Sequence, residues 1–414
     1  MIRTDSEKLP VALRRSILLL SFSTFSSMSA QRICDAMLPE LSREFGVSLA
    51  QAAQVVSAFA VVYGLSQLFY GPMGDRLGKY RVVTFTTMGC SIGSAMAFFA
   101  SSLDWLVLAR VLVALGAAAI IPLSLAWVGD AVAYEQRQET LARLGLGSTL
   151  GIVSGQLVGG LMTDWVGWRW AFALMTMMFS VVGALLWREL RRQQRTPLVM
   201  AHPLPTGPRP GFVQQALTIV TGPWSRVILL VALIEGAMGF GVLAIWASHL
   251  HQALGLSLTA SGGIVGLYGL GGMLYMVLAR HLIPRLGEHG LALVGTGILA
   301  LCTVVIGFTP YAWTTLPASL LGGFGFFMFH NTMQTNATQM APAARGTAVS
   351  LFASSLFMGQ AVGVLLAAAL VGLVGSGPTI ALGGGVLLLI GALFAWGLRQ
   401  RQRKALAQEV VREH

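Results

Sequence analysis

A carboxylate inside a long apolar run needs an explanation, because a charge at mid-bilayer depth costs at least about 2.5–3.5 kcal/mol on insertion scales. Glu235 stands in such a run, preceded by Leu229, Leu230, Val231, Leu233 and Ile234 and followed by Gly236, Ala237 and Gly239, with no basic residue in its own run. Nine residues of helix would place it about 13 Å deep at 1.5 Å per residue. A carboxyl group taken out of water favours its neutral form, so a group placed there can load a proton on one side of a membrane and release it on the other. Asp35 lies near the far end of the first apolar run, and Arg110 lies five residues past Trp105, about 8 Å deep by the same rise. A second polar group, His330, Asn331 and Gln334, interrupts a run rich in Phe and Gly. His330 and Gln334 are four apart and share a helix face; lipid cannot satisfy them, so they are expected to face a cavity. Tyr63, Gln67, Gln156, Trp246, Tyr268 and Gln360 are further polar or amphipathic candidates to line it.

The elements that hold these residues follow from composition. Of 414 residues, 55% are apolar and only 10% charged, with a mean hydropathy of +0.72. A soluble domain carries about 25% charged residues, so a lipid bilayer is the expected solvent. Apolar windows fall near 16–38, 50–70, 82–101, 105–128, 142–162, 170–187, 227–248, 258–279, 290–308, 313–334, 347–372 and 378–398. Twelve windows predict an all-α membrane protein with both termini on one side. All but four of the 27 Lys and Arg then fall on that side, the exceptions being Arg43 and Arg169 opposite and Arg32 and Arg110 within spans. Such a bias predicts cytoplasmic termini, and it accounts for the net charge of +11 without nucleic acid. The first window, which ends in Met28-Ser29-Ala30, also has the pattern of a cleaved signal. Removing it would leave eleven spans and invert the charge bias, so it is read as a span.

Arg188, Arg191, Arg192 and Arg195, then Pro197, Pro203, Pro205, Pro208 and Pro210, mark the one long interruption. The chain is accordingly divided into a six-helix half at 1–187, a cytoplasmic linker at 188–226, a second six-helix half at 227–398 and a basic tail at 399–414. The halves repeat. Gly71-Pro-Met-Gly-Asp75-Arg76-Leu77-Gly78 aligns with Arg280-His-Leu-Ile-Pro284-Arg285-Leu286-Gly287 at an offset of 209, Trp105 and Arg137 align with Trp313 and Arg345 at 208, and Gly155-Gln156 aligns with Gly359-Gln360 at 204. Parallel duplication of this kind belongs to transporters whose site lies between the halves at mid-membrane.

Gly71, Asp75, Arg76, Gly78, Lys79 and Arg81, between spans two and three, resemble the loop signature of the major facilitator superfamily. Asp35 with Pro39, Arg110 with Gly116, and Gly147, Gly151, Gly155, Gly159 and Gly160 resemble motifs of its twelve-helix drug:proton antiporters and sugar-efflux permeases, with Gln156 standing where that pattern has Pro. The resemblance implies two pseudo-symmetric six-helix bundles and brings spans one and four together at the cavity, so that an Asp35–Arg110 pair is geometrically possible. It also implies an inner gate at Gly71–Arg81, with Asp75 able to cap the start of span eleven near Gly346 and Thr347 through the positive end of the helix dipole.

The expected function is a secondary active transporter, a proton-coupled exporter of small amphipathic organic compounds, with Glu235, Asp35 and Arg110 coupling protons. The alternative is an importer or facilitator of a polar metabolite or organic anion. A receptor or scaffold needs neither duplication nor charges in both halves. An enzyme is not expected, since HExxH and GxxxxGK[ST] are missing. Cys34, Cys90 and Cys302 are isolated and odd in number, so they imply no metal site or disulfide framework. No cofactor is implied. The expected partners are a small-molecule substrate, protons and lipid, and the expected form is a monomer in the inner (plasma) membrane.

Overall fold

Backbone amides in hydrocarbon must satisfy their hydrogen bonds internally, and the chain obeys this with helices alone. A computed structural model describes residues 10–195 and 212–412, and no strand occurs among them. In chain order the helices are α1 (Val11–Arg32), α2 (Leu38–Phe45), α3 (Leu49–Ala52), α4 (Gln54–Leu77), α5 (Lys79–Phe98), α6 (Leu103–Ala131), α7 (Tyr134–Trp165), α8 (Trp168–Arg195), α9 (Phe212–Thr221), α10 (Pro223–Glu235), α11 (Trp246–Leu254), α12 (Leu258–Phe308), α13 (Ala312–Gln339), α14 (Arg345–Val374) and α15 (Ser376–Arg412). Among the described residues, nine helical stretches are long and apolar enough to cross a bilayer. One of them, the 51-residue α12, is two helices joined at Gly287, whose φ of 61° and ψ of 177° break the helical path. The serine- and threonine-bearing α1 and α5 are not among the nine.

Helix intrudes on the stretch expected as linker. α8 runs on to Arg195, α9 lies at Phe212–Thr221 and α10 begins at Pro223, while the proline-rich residues 197–210 lie outside the described residues. The expected basic tail continues α15 as far as Arg412.

The internal repeat reappears in the backbone. Positive φ occurs, among the described residues, at six glycines that form three pairs, Gly46 with Gly255, Gly78 with Gly287, and Gly167 with Gly375. Each pair keeps the spacing that relates the two loop motifs, to within one position. Helix starts repeat as well, since Ser48 caps α3 and its counterpart in the second half, Ser257, caps α12. Two cavities of about 510 and 490 Å³ also correspond. Phe45, Ser101 and Asp104 line the first, and Ala253, Thr309 and Ala312, their counterparts at the spacing that relates Trp105 to Trp313, line the second. Buried apolar side chains gather into two main clusters. One comes from residues 13–190 plus Ala244, Val364 and Ala368, and the other from residues 228–398 plus Ala36. The two bundles thus have largely separate cores and meet along a seam where α7 packs on α12 and α4 on α14.

Candidate functional site

The face that carries Gly71–Arg81 and the Arg188–Arg195 run is called the basic face here, and the other the opposite face. Helix α1 ends at Arg32 and passes into a 3-10 turn at Asp35–Met37. That ending leaves its last carbonyls without intrahelical partners. Arg110 of α6 supplies them: its guanidinium donates to the carbonyls of Ala30 at 2.6 Å and Gln31 at 3.5 Å, reaches that of Val55 in α4 at 3.3 Å, and lies 4.2 Å over the Phe59 ring. The Asp35–Arg110 pair that the sequence allowed therefore does not form. Instead Asp35 accepts from Arg32 at 3.3 Å and from Gln156 Nε2 at 2.8 Å, with all three side chains buried.

Glu235 closes α10 and is fully buried. It has a partner that lies 95 residues away in the chain, since His330 Nδ1 lies 2.7 Å from Glu235 Oε1. This corrects the expectation of an unpaired carboxyl, because α13 brings the imidazole where the carboxyl's own span offers no basic group. Rings enclose the imidazole, with Phe326 stacked at 5.7 Å and Phe327, Phe352 and Phe240 at 5.9, 6.0 and 6.1 Å. Gln334, expected beside His330 in a cavity, is exposed, and Asn331 donates to the Tyr275 hydroxyl at 3.1 Å.

After Glu235 the chain forms a π-helix over Gly236–Gly241 before α11 begins at Trp246. This wide turn carries Phe240, on whose ring the Arg32 guanidinium rests at 4.6 Å. Phe240 meets Phe326 at 4.8 Å, Phe326 meets Tyr268 at 5.6 Å, and Tyr268 meets Trp246 at 5.6 Å. The seam is thus built by both bundles. Nearby, Gln31 donates to Gln360 at 3.4 Å, Ser57 donates to the Ala361 carbonyl at 2.9 Å, and Tyr63 packs on Phe357 at 4.5 Å, with Gln67 buried on the same helix. Sequence reading missed Arg32, Gln31 and Phe240 as parts of this cluster. Only the apolar surroundings of Arg32 carried a signal.

Glycines allow the close approach that this seam needs. A Cβ added at Gly160 would lie 2.1 Å from the Leu258 carbonyl oxygen and one at Gly262 would lie 2.3 Å from that of Gln156, so α7 of one bundle touches α12 of the other backbone to backbone.

The two faces differ. On the opposite face, Asp164 at the end of α7 accepts from the backbone amides of Leu258 and Thr259, at 3.2 and 2.6 Å, and from the Thr259 hydroxyl at 2.6 Å. An acid on a helix N-terminus is stabilising, and here it fastens one bundle to the other. Beside it Glu44 accepts from Trp168 Nε1 and Arg169, each at 2.6 Å. Burial works against the Glu44 charge, but these two hydrogen bonds and the arginine charges outweigh it and hold the carboxyl below the usual glutamate range. On the basic face Asp75 pairs with Lys79 at 3.2 Å, and Lys79 also reaches Asp130 at 2.5 Å. The predicted Asp75 cap on α14 is not made; Thr347 donates instead to Gln215 of α9 at 2.6 Å. Arg81 extends over Phe85, while Arg76, Gly71 and Gly78 are exposed. The bundles are joined at mid-depth and on the opposite face.

Comparison with known proteins bears on this architecture. The family model of the Major Facilitator Superfamily matches residues 20–353. The uncharacterized transporter YgaY of Escherichia coli O157:H7 is 24% identical over 400 residues, covering 94% of this chain and 97% of YgaY. Puromycin resistance protein pur8 of Streptomyces alboniger is 25% identical over 388 residues, covering 81% and 77%. Among solved structures, a bacterial homolog to the human lysosomal transporter Spinster, inward-facing and unoccupied, superposes with a TM-score of 0.75 at 19% identity, over 94% of this chain and 97% of that one.

Proposed function

Because the chain belongs to the Major Facilitator Superfamily, and so is a multi-pass membrane transporter, we propose that it is a proton-driven exporter that moves small, partly apolar organic compounds by alternating access. Twelve spans in two bundles, 1–187 and 227–398, rock about the seam in this reading, with the linker 188–226, the tail 399–414 and the basic face in the cytoplasm of a cell with a proton gradient across its plasma membrane. Each chain works as a monomer.

The single observation that carries the reading is the Glu235–His330 pair, a fully buried carboxyl 2.7 Å from an imidazole that is ringed by phenylalanines. A proton exchanged at that pair is moved across the membrane when the bundles rock. The partners Arg32, Asp35 and Gln156 complete the polar seam, Arg110 positions the end of α1, and Tyr63, Gln67, Gln360, Trp246 and Tyr268 line the cargo's path. Asn331 and Gln334 lie toward the basic end of that path. Gly71, Asp75, Arg76, Gly78, Lys79 and Arg81 form the inner gate, with Asp75 reaching the start of α14 when the basic face closes. The relatives named for drug and puromycin resistance support export. A second reading, uptake or passive passage of a polar metabolite or organic anion, draws on the Arg32 guanidinium, whose Nε is buried without a hydrogen-bond partner.

Proteoliposomes with an imposed proton gradient test the coupling. Glu235→Gln is expected to abolish uphill accumulation of an exported dye while dye exchange down its own gradient persists, because an uncharged side chain still permits rocking. Uphill accumulation at the wild-type rate in this variant would overturn the assignment of Glu235.

A further inference from the structure

The N-terminal bundle buries two neighbouring guanidinium groups, Arg32 and Arg110, against one carboxylate, Asp35. Glu235, in the other bundle, has His330, and Glu189, nearer the basic face, has Arg15 at 2.5 Å. A buried charge without compensation is costly, so the excess positive charge calls for an answer. Arg110 is answered by the carbonyls at the end of α1, which carry roughly half a negative charge. Arg32 is answered only in part: its Nη1 makes a 3.3 Å bond to Asp35, an oxygen that Gln156 shares, while its Nε is buried without a partner.

Other unused donors belong to the same cluster. Trp246 Nε1 and the Tyr268 hydroxyl are both buried and both without a hydrogen-bond partner. They are joined to Arg32 through an unbroken run of ring contacts, from the guanidinium on Phe240 to Phe326, Tyr268 and Trp246. A guanidinium seated over a ring still has its N–H edge to offer, and such an edge matches the oxygens of a carboxylate. We propose that Arg32 is the anchor for an organic anion, a compound with one carboxylate on an aromatic or similarly flat apolar body, whose charge is held by Arg32 with help from Trp246 and Tyr268 while its body lies among Phe240 and Phe326.

The proposal rests on the transporter reading only in taking the seam as the cargo site, and it moves the anion from Arg110, whose donors are taken up by backbone, to Arg32, whose Nε is unpartnered. Entry requires the bundles to part, since in this conformation the cluster is packed shut. Three aromatic probes of one size separate the chemistries, namely benzoate, benzamide and benzylammonium.

Calorimetric titration of the purified full-length protein in lipid nanodiscs, at one fixed pH, tests the proposal. Benzoate is expected to bind saturably, and the other two at least about tenfold more weakly. Arg32→Gln should weaken benzoate by about 10- to 100-fold, the scale of one hydrogen bond to a charged group, and Arg32→Lys should recover part of the loss. Should Arg32→Gln fail to fold, the Trp246→Phe, Tyr268→Phe double variant leaves an aromatic ring at each position, removes two donors and is expected to weaken benzoate several-fold. Equal binding of benzamide or benzylammonium, no saturable benzoate binding, or wild-type affinity in Arg32→Gln or in the double variant would overturn the proposal. Uphill transport in proteoliposomes reads the proton coupling, and the titration, made without a proton gradient, reads the anion site, so a failure of one is distinguished from a failure of the other.

Discussion

Arg32 and Arg110 are the same residue type at similar burial, yet one commits its donors to carbonyls and the other keeps a donor free. What separates them is the place where α1 stops, and a pattern of apolar residues does not mark that to the residue. For the same reason the sequence pointed to Arg110 as the partner of Asp35 and left Arg32 aside. Glu235 stood out in the sequence because nothing in its own span explains it. Its His330 partner lies on another helix, 95 residues away, and spacing along one helix cannot reveal such a contact. Glu44 offers a pH test at this scale. Its carboxyl is held below the ordinary glutamate value of about 4.3, so its contribution to stability is present above that value and is lost as pH falls through the lower folded one. The thermal midpoint of the detergent-solubilised protein should therefore drop on acidification through and below the glutamate range. Glu44→Gln is expected to remove that part of the dependence, and an unchanged pH profile in the variant would contradict the role given to the Trp168 and Arg169 bonds.

Helix ends matter more than helix interiors in deciding which face is closed. Apolar run length made most of the spans legible, because the bilayer fixes how many residues a crossing needs. The π-helix at Gly236–Gly241 and the short α9 were not legible, since a wide turn leaves the apolar run unbroken and α9 follows directly on a proline-rich stretch. In this conformation the acid on a helix N-terminus across the seam is Asp164 on α12, while Asp75 stays with Lys79. Removing a cap costs about 0.5–2 kcal/mol, and here the loss falls on only one conformation. Asp164→Ala is thus expected to shift the population away from the form closed on the opposite face by about 2- to 30-fold. Nitroxide labels at Val166 and Gln252, both exposed on that face, would report it as a larger fraction of long distances. An unchanged distance distribution would show that glycine packing alone holds the face shut.

The whole molecule is two cores joined along a seam, and the duplication behind it was readable from three short matches in the sequence. Those matches survive where backbone geometry or a loop contact forbids change; the helix surfaces between them face lipid, which accepts almost any apolar side chain, and there the two copies have drifted apart. The three pairs of positive-φ glycines, which share one spacing to within a single position, therefore have a consequence for mutational tolerance. If every position were substituted and each variant scored for abundance in the membrane, the profile of tolerance along the chain should correlate with itself when displaced by the spacing that carries Gly78 onto Gly287. Gly78→Ala and Gly287→Ala should be matched losses, each on the order of 1–2 kcal/mol for forcing a side chain into left-handed backbone, and clearly worse than alanine at Gly89 or Gly297, where an added Cβ meets open space. An autocorrelation flat at that displacement would mean that the two bundles, though built alike, no longer depend on the same positions to fold.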